Sequence, residues 1–482
     1  MEQEKLNKDA KRKAQAGTNP ARPNINDLFG GGSSRSSDES SVMERERRAG
    51  VKRLKEGKAP SQRRSKTIPI EVKVIPITFK MVLDAYVKVK RNKGSAGVDS
   101  VSLEDFADRL HDNLYRLWNQ LTSGSYRSHA VRQVGIPKKD GRTRYLGIPT
   151  VADRIAQQVI KSYLEPRLDR LFSPTSYGYR SQKNAHQALR EVRKNCRRQD
   201  FAIDMDIKGF FDEVSHDLLL KAVKKHVPEK WVVDLLEHWL CAPIRKANGE
   251  LEVKLGRGTP QGGVISPLLA NLFLHYVFDA WLSKNYPSVK YVRYADDIIV
   301  HCYTASEAEG ILDAINKRMG ECKLRLHPDK TKIVCCRPAK HRSTDYPVVF
   351  DFLGYRFQPR PARRRDGSLF LSYGCAISPL SEQRITAELR DSQFQKWTGS
   401  TIEEIANTFA PKLRGWLNYY GELEKYLVRR IFTRFNFRLL RWVKKKYGRF
   451  KGSYRKSAEW LRNLAKKKPD LFPHWQKGYI YS

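Results

Sequence analysis

Two aspartates stand side by side at Asp296 and Asp297, inside a stretch from Tyr291 to Val300 that is otherwise mostly apolar. Adjacent carboxylates repel, and burying either one without a partner is costly. A third carboxylate, Asp206, follows the apolar run Phe201-Ala202-Ile203 and precedes Gly209, Phe210 and Phe211. Three carboxylates at the ends of neighbouring strands can hold two Mg²⁺ ions ~4 Å apart. Such a pair activates a 3′-hydroxyl, steadies the phosphorus under attack and neutralises a departing pyrophosphate. The metals would also relieve the repulsion between the acids. The residues alone leave alternatives open. Asp-Asp suits an ordinary hairpin turn, Asp204 competes with Asp206 for the third position, and Asp212 is a further acid nearby.

The chain that carries these acids is strongly basic. It has 91 Lys and Arg against 52 Asp and Glu, a formal net charge of +39 over 482 residues. That surplus favours a polyanionic partner, nucleic acid ahead of an anionic membrane. Hydrophobic residues at 40% and aromatics at 11% fit a globular chain with at least one sizeable core. The longest mostly apolar run, Val264 to Leu282, is interrupted by Pro267, Asn271, His275 and Asp279. It reads as a buried helix rather than a membrane span. The polar, charged N-terminus argues against a signal peptide. Seven cysteines without a C-x-x-C pair argue against zinc fingers and a disulfide framework, and for a reducing cytoplasm.

Elements must position the acids. Tyr291 to Tyr303 reads as a hairpin of buried strands, and Gln199 to His216 as a strand running into a helix. "ITFKMVLDAYVKVKRNKGSAGVD" reads as a helix and a Gly-punctuated turn. "HAVRQVGIPKKDGRTRYLGIPT" reads as a hairpin turning at Lys138-Lys139-Asp140-Gly141. Asp153 reads as the N-cap of the helix that follows. After about Cys375 come helices rich in Lys, Arg and aromatic residues, "TIEEIANTFAPKLRGWLNYYG" and "YLVRRIFTRFNFRLLRWVKKKYGRF". The pattern is that of an α+β body followed by an all-helical basic domain. Residues 1–66, charged and Ser/Gly-rich, read as a flexible extension. Within them "MERERRAGVKRLKEGK" reads as a short basic helix or a solvated tail.

In order along the chain, these motifs resemble the reverse transcriptases of bacterial group II introns. "KRNKGSAGVDS", "IPKKDGRTRYLGIPT", "SYGYRSQKNAHQAL", "DIKGFFDEVSH", "GTPQGGVISPLLANLFLHYVFD", "YADD", "LRLHPDKTKI" and "FDFLGYRF" follow one another. The tail, with "LRGWLNYYG" and "LFPHW", resembles the family's maturase or thumb region. The resemblance covers about residue 70 to the end. It implies a right-hand polymerase: fingers and palm over 67–375, with an antiparallel palm sheet, then an all-α thumb/maturase domain over 376–482. It implies that Asp206, Asp296 and Asp297 are the catalytic ligands of two Mg²⁺ ions, with the Ile207 carbonyl as a backbone ligand. By the same resemblance Lys138 and Arg144 grip the incoming triphosphate, and Gln261 lines the nucleotide site. Phe211 would crowd a 2′-hydroxyl and select deoxynucleotides. Lys330, with Lys332 as its rival, would donate a proton to pyrophosphate. Tyr145 departs from the family, which usually has Pro there.

In the last long helix Arg429, Arg430, Arg434, Arg438, Arg441, Lys444 and Lys445 are the expected RNA-facing set. Leu427, Ile431, Phe435 and Leu439 form its apolar face. The implied activity is RNA-dependent DNA polymerisation combined with binding of group II intron RNA, assisting its splicing and mobility. The implied partners are intron RNA or another RNA template, a DNA primer or target, and dNTP, with no membrane. The expected setting is the bacterial cytoplasm at the nucleoid, without the His/Cys-rich endonuclease of many relatives. Two other readings share these motifs: a splicing-only maturase, and a host-recruited reverse transcriptase in defence or repair.

Overall fold

The near-continuous apolar runs around the acids are strands covered on both faces. The computed structural model describes residues 75–137, 143–253, 256–338, 340, 345–423 and 425–480. The N-terminal extension and the Lys138–Gly141 turn lie outside them. In chain order the strands are β1 (Val131–Pro137), β2 (Thr143–Ile148), β3 (Phe201–Asp206), β4 (Ile244–Arg245), β5 (Leu251–Glu252) and β6 (Lys290–Tyr294). They continue with β7 (Asp297–Cys302), β8 (Lys332–Cys335), β9 (Phe350–Phe352), β10 (Tyr355–Arg363) and β11 (Leu369–Ile377). These form three sheets, ordered β2-β1-β4-β5, β6-β7-β3-β8 and β11-β10-β9.

The β6-β7-β3-β8 sheet is antiparallel throughout. Side chains alternate across a strand. Ile203, Met205, Ile298 and Val300 therefore enter one apolar cluster, while Ala202, Val292, Ile299 and Val334 enter another. The first cluster also takes the buried residues of helices α1 (Phe79–Arg91) and α2 (Val151–Leu168). The second takes those of α3 (Ala185–Cys196) and of the β9–β11 strands. The apolar run at Val264 is a buried helix, α4 (Ser266–Leu274), continuing through a π turn at His275–Asp279. Among the described residues no helix is long and apolar enough to cross a membrane.

One expectation needs correction. Thr150, not Asp153, caps α2: it is extended at φ −61° and ψ 164°, and its hydroxyl accepts the Asp153 N–H. Asp153 sits inside the first turn and is buried. There its carboxylate accepts the Tyr126 hydroxyl at 2.5 Å, the Thr150 hydroxyl at 2.8 Å and the His129 N–H at 3.3 Å. These bonds tie the entry to β1 to the start of α2.

Past β11 the chain becomes helical, with α6 (Pro379–Asp391) following α5 (Ala305–Glu321), then α7 (Ile402–Tyr420), α8 (Lys425–Lys446) and α9 (Tyr454–Lys467). The sharp β9–β10 turn has Leu353 and Gly354 at φ 49° and 76°. The Tyr419 hydroxyl of α7 donates to the Leu353 carbonyl at 2.8 Å, so the helical region holds this turn. Ile431, Phe432, Phe435, Leu439 and Trp442 of α8 are buried, whereas Phe437 is exposed.

Replacing Tyr126 with Phe leaves the buried Asp153 carboxylate one donor short. The change also removes the acceptor of the Trp239 indole N–H, which donates to the Tyr126 hydroxyl at 3.1 Å, and the expected cost is about 1–3 kcal/mol, measured by urea denaturation.

Candidate active site

β3 and β7 place Asp206 directly opposite Asp297. Tyr294 pairs with Asp297, so Ala295-Asp296 form a two-residue turn between β6 and β7. All three acids thus meet at one end of one sheet. Alternation puts Asp204, Asp206 and Asp297 on the same face. They line a recess of about 380 Å³ with Lys330, Lys332, Asp351 and Arg356.

The turn is strained and then fixed from both sides. Ala295 has φ 57°, in the left-handed region that disfavours a side chain. Gly178 packs against it so closely that a Cβ there would lie 2.4 Å from the Ala295 nitrogen. The Gly178 carbonyl accepts the Asn271 amide at 2.8 Å. On the other side is Arg293, with no exposure to water. Its guanidinium donates to both Asp279 carboxylate oxygens, at 2.9 and 2.5 Å, to Asn271 Oδ1 at 2.9 Å and to the Ala295 carbonyl at 3.2 Å. Sequence reasoning missed Arg293 as a positioning residue. Its signal was present: one charge inside the apolar strand Tyr291–Tyr294, and Asn271 and Asp279 interrupting the most apolar helix.

The electrostatics show why the edge calls for a cation. Burial, then the charges of Asp296, Asp206 and Asp204, push the Asp297 carboxyl up to about 7, against the pull of Lys330. Asp297 is nonetheless exposed. Asp296 is raised by burial and by Asp206, while Arg144 and Lys330 lower it. Asp204 is also pushed up to about 7, by burial first. Asp206 pairs with the Lys330 ammonium. Lys332 lies opposite Asp204 in the β3–β8 register and its ammonium is 4.0 Å away, which separates the two lysines. Among the described residues no three His, Cys, Asp or Glu side chains already converge on one metal-sized point. The donors themselves suit a hard divalent cation, which would displace the proton that the raised Asp297 carboxyl retains near neutrality.

The β1–β2 hairpin reaches the same edge. Arg144 of β2 is near enough to Asp296 to lower it, and its Nε donates to Gln261 Oε1 at 2.9 Å. The Gln261 amide in turn donates to Asp212 at 3.3 Å. Gly262, at φ 119°, lies so close to Gly147 that a Cβ would be 2.4 Å from its carbonyl oxygen. Phe211 is 9% exposed and packs edge-on against Phe210 with ring centroids 5.2 Å apart. Ile207 bridges Leu326 just beyond Asp206. Lys138 lies outside the described residues.

The C-terminal basic residues make their contacts elsewhere. Arg429, Arg430, Arg441 and Lys445 are exposed, and Arg434, Arg438 and Lys444 half-buried. Arg434 pairs with Glu382 at 3.0 Å and donates to Thr386 at 2.5 Å. Arg438 donates to Gln395 at 3.3 Å.

Residues 136–357 match the family model described as reverse transcriptase (RNA-dependent DNA polymerase). Residues 382–460 match that of the group II intron, maturase-specific domain. The group II intron-encoded protein LtrA of Lactococcus lactis subsp. cremoris is 33% identical over 417 residues, covering 70% of this chain and 68% of that protein. The chain belongs to the group II intron-encoded reverse transcriptase/maturase family. Another relative of this family member is protein YkfC of Escherichia coli K12, 34% identical over 279 residues, 49% of this chain and 71% of that one. The putative COX1/OXI3 intron 1 protein of Saccharomyces cerevisiae is 25% identical over 422 residues, 72% of this chain and 49% of its own length. The reverse transcriptase match takes in all three acids, Arg144, Phe211, Gln261 and Lys330. The maturase match takes in the basic residues of α8.

Two outcomes follow for this reverse transcriptase/maturase. Arg293→Met leaves Asp279 buried and uncompensated, at a cost of about 3–5 kcal/mol. Asp279→Met in the same chain should recover part of that loss in a denaturation double-mutant cycle. The second concerns pH. A carboxyl whose folded pKa is raised destabilises the fold as pH climbs from the unfolded value near 4 towards 7. In EDTA, Asp297→Asn should therefore be more stable than the native chain at pH 7.5, and the gap should shrink by more than half at pH 5 and close only towards pH 4. Equal melting-temperature differences at both pH values would contradict the assigned shift.

Proposed function

We propose that the chain is an RNA-dependent DNA polymerase that extends a primer 3′-hydroxyl with dNTPs. We infer further that it binds group II intron RNA and assists its splicing and mobility. The observation that carries the polymerase reading is the β3–β7 register, with Asp206 opposite Asp297 and Asp296 in the adjoining turn. The maturase-specific match and the intron-encoded name of the Lactococcus relative support the second role. In this reading residues 67–375 are fingers and palm of a right-hand polymerase and 376–482 its helical thumb/maturase part. The setting is the bacterial cytoplasm.

Asp206, Asp296 and Asp297, with the Ile207 carbonyl, are the residues that would hold two Mg²⁺ ions. When bound, such ions activate the 3′-hydroxyl and neutralise charge on the phosphates. Asp206 must release Lys330 to take part. The freed ammonium is then the group placed to give a proton to pyrophosphate. Arg144, braced by Gln261, presents a planar donor fork to the triphosphate. Lys138, in the connection beyond β1, is assigned the same role. Phe211 supplies an apolar wall that offers a 2′-hydroxyl neither space nor a hydrogen bond. The exposed basic residues of α8 contact RNA phosphates.

The test is primer extension on an RNA template with Mg²⁺. The native chain should extend with dNTPs and not with NTPs, and Asp296→Ala/Asp297→Ala should fall to background. Extension that survives in the double variant would overturn the assignment. Phe211→Val should raise NTP use relative to dNTP by about 10- to 100-fold, the scale of a lost steric contact, read as a ratio of kcat/KM values.

A further inference from the structure

The β10–β11 hairpin is longer than the sheet that supports it. Its register runs through nine residue pairs, from Tyr355 opposite Ile377 to Arg363 opposite Leu369. β9 backs only the three at the base, Tyr355 to Phe357. Tyr373 and Gly374 are still buried, with the Tyr373 hydroxyl donating to the Val348 carbonyl at 2.9 Å, so the unsupported part is a two-stranded ribbon of the last four pairs, Arg360–Ser372 to Arg363–Leu369, about 13 Å long. Such a ribbon is marginal in water by itself. Every residue from Arg363 to Leu371 is exposed. Leu369 is 69% exposed, Phe370 38% and Leu371 57%.

Three observations indicate what meets this ribbon. First, its sign: residues 358–374 hold four arginines against one aspartate. That aspartate, Asp366, is turned inward by the Ser368 hydroxyl at 2.6 Å and the Ser368 N–H at 2.8 Å. The tip is thus a formed turn, closed by Gly367 at φ 86° and presenting Arg363, Arg364 and Arg365. Second, its surface chemistry: the Arg364 guanidinium lies over the Phe370 ring at 5.3 Å on one face, and the exposed Leu369 and Leu371 stand on the other. Arginine planes, aromatic faces and apolar side chains together suit unstacked bases with their phosphates, as in single-stranded loops and bulges. Third, its edge: Pro359 and Pro361 remove two N–H donors from β10 while the pairing with β11 continues past both. Prolines at a free edge obstruct strand addition. A second copy joining edge to edge is therefore disfavoured, and the faces and tip are what remain to be covered.

We propose that this ribbon docks a looped or bulged single-stranded stretch of RNA, away from the carboxylate edge. The tip arginines take its phosphates, and its bases pack on the two faces, against Phe370 on one and Leu369 with Leu371 on the other. The proposal rests on the RNA-binding part of the function proposed above and not on polymerisation.

The test uses the full chain and two variants. The tip variant carries Arg363→Ser, Arg364→Ser and Arg365→Ser. The face variant carries Leu369→Thr and Leu371→Thr, which keep strand propensity. The probes are a labelled RNA stem-loop and the same stem as an uninterrupted duplex, titrated across KCl concentrations. The tip variant should bind the stem-loop with a log–log salt slope shallower by about 2, as expected for about three lost contacts to single-stranded phosphates. The face variant should lose about fivefold or more in stem-loop affinity, with the salt slope unchanged and duplex binding unaffected. Both should extend a primer on a short unstructured RNA template within about twofold of the native rate. Native affinity and slope in both variants would overturn the proposal. So would a native dimer in sedimentation that the face variant converts to monomer, since a second copy would then cover the face. Failure of the native chain to extend any primer would sink the polymerase reading and leave these binding readouts intact.

Discussion

Arg293 is a guanidinium sealed from water, and the carboxylate edge is arranged around it. Desolvating it would cost several kcal/mol without Asp279, and Asp279 would be as costly without Arg293. With Asn271 and the Ala295 carbonyl as further partners, the pair fixes α4 and its π turn against β6. The Arg293 backbone also exchanges hydrogen bonds with the segment just before Gly178: its N–H donates to the Thr175 carbonyl at 3.0 Å and its carbonyl accepts the Tyr177 N–H at 2.8 Å. One residue, through its side chain and its backbone, thus joins the helix behind the sheet, the strand beside the turn and the loop pressed on that turn. Without such bracing an alanine in the left-handed region would relax, and Asp296 would move with it.

The edge so held is electrostatically uncomfortable when metal-free. Burial raises the Asp296 and Asp297 carboxyls, and the charge of Asp206 adds to the effect at both. Lys330 answers part of the charge by pairing with Asp206. Asp296 is lowered by a backbone hydrogen bond and then by the more distant Arg144 and Lys330, and Asp297 by Lys330. This is the opposite of a structural ion-pair network, in which each acid would find its own base. Strain and unbalanced charge at one sheet end, inside a fold otherwise packed on both faces, are the physical grounds for the proposed cation site.

Much of this was legible in the sequence because strand periodicity and motif order are local. The β6–β7 hairpin, the strand ending at Asp206 and the β1–β2 hairpin follow from alternation and turn residues. The choice between Asp204 and Asp206 came from family resemblance. Register adds that Asp206 lies opposite Asp297 while Asp204 lies opposite Ile299 and Lys332. What stayed hidden was non-local. Nothing near Arg293 announces that its partner is Asp279, because a π turn, which has no simple sequence signature, re-aims that carboxylate. Asp153 has the residue type of an N-cap, yet Thr150 takes that position and leaves the acid to organise Tyr126 and His129. The reach of the β10–β11 ribbon beyond β9 is likewise a fact of sheet pairing rather than of composition.

The central claim is that Asp206, Asp296 and Asp297 act as one divalent-cation site assembled by the β3–β7 register. The most direct measurement is Mn²⁺ electron paramagnetic resonance on the chain bound to an RNA template, a chain-terminated primer and the next dNTP. The account predicts a spin-coupled pair of ions, as expected for two metals ~4 Å apart, that disappears in Asp206→Asn. A single isolated ion, or a coupled pair that persists in Asp206→Asn, would contradict it.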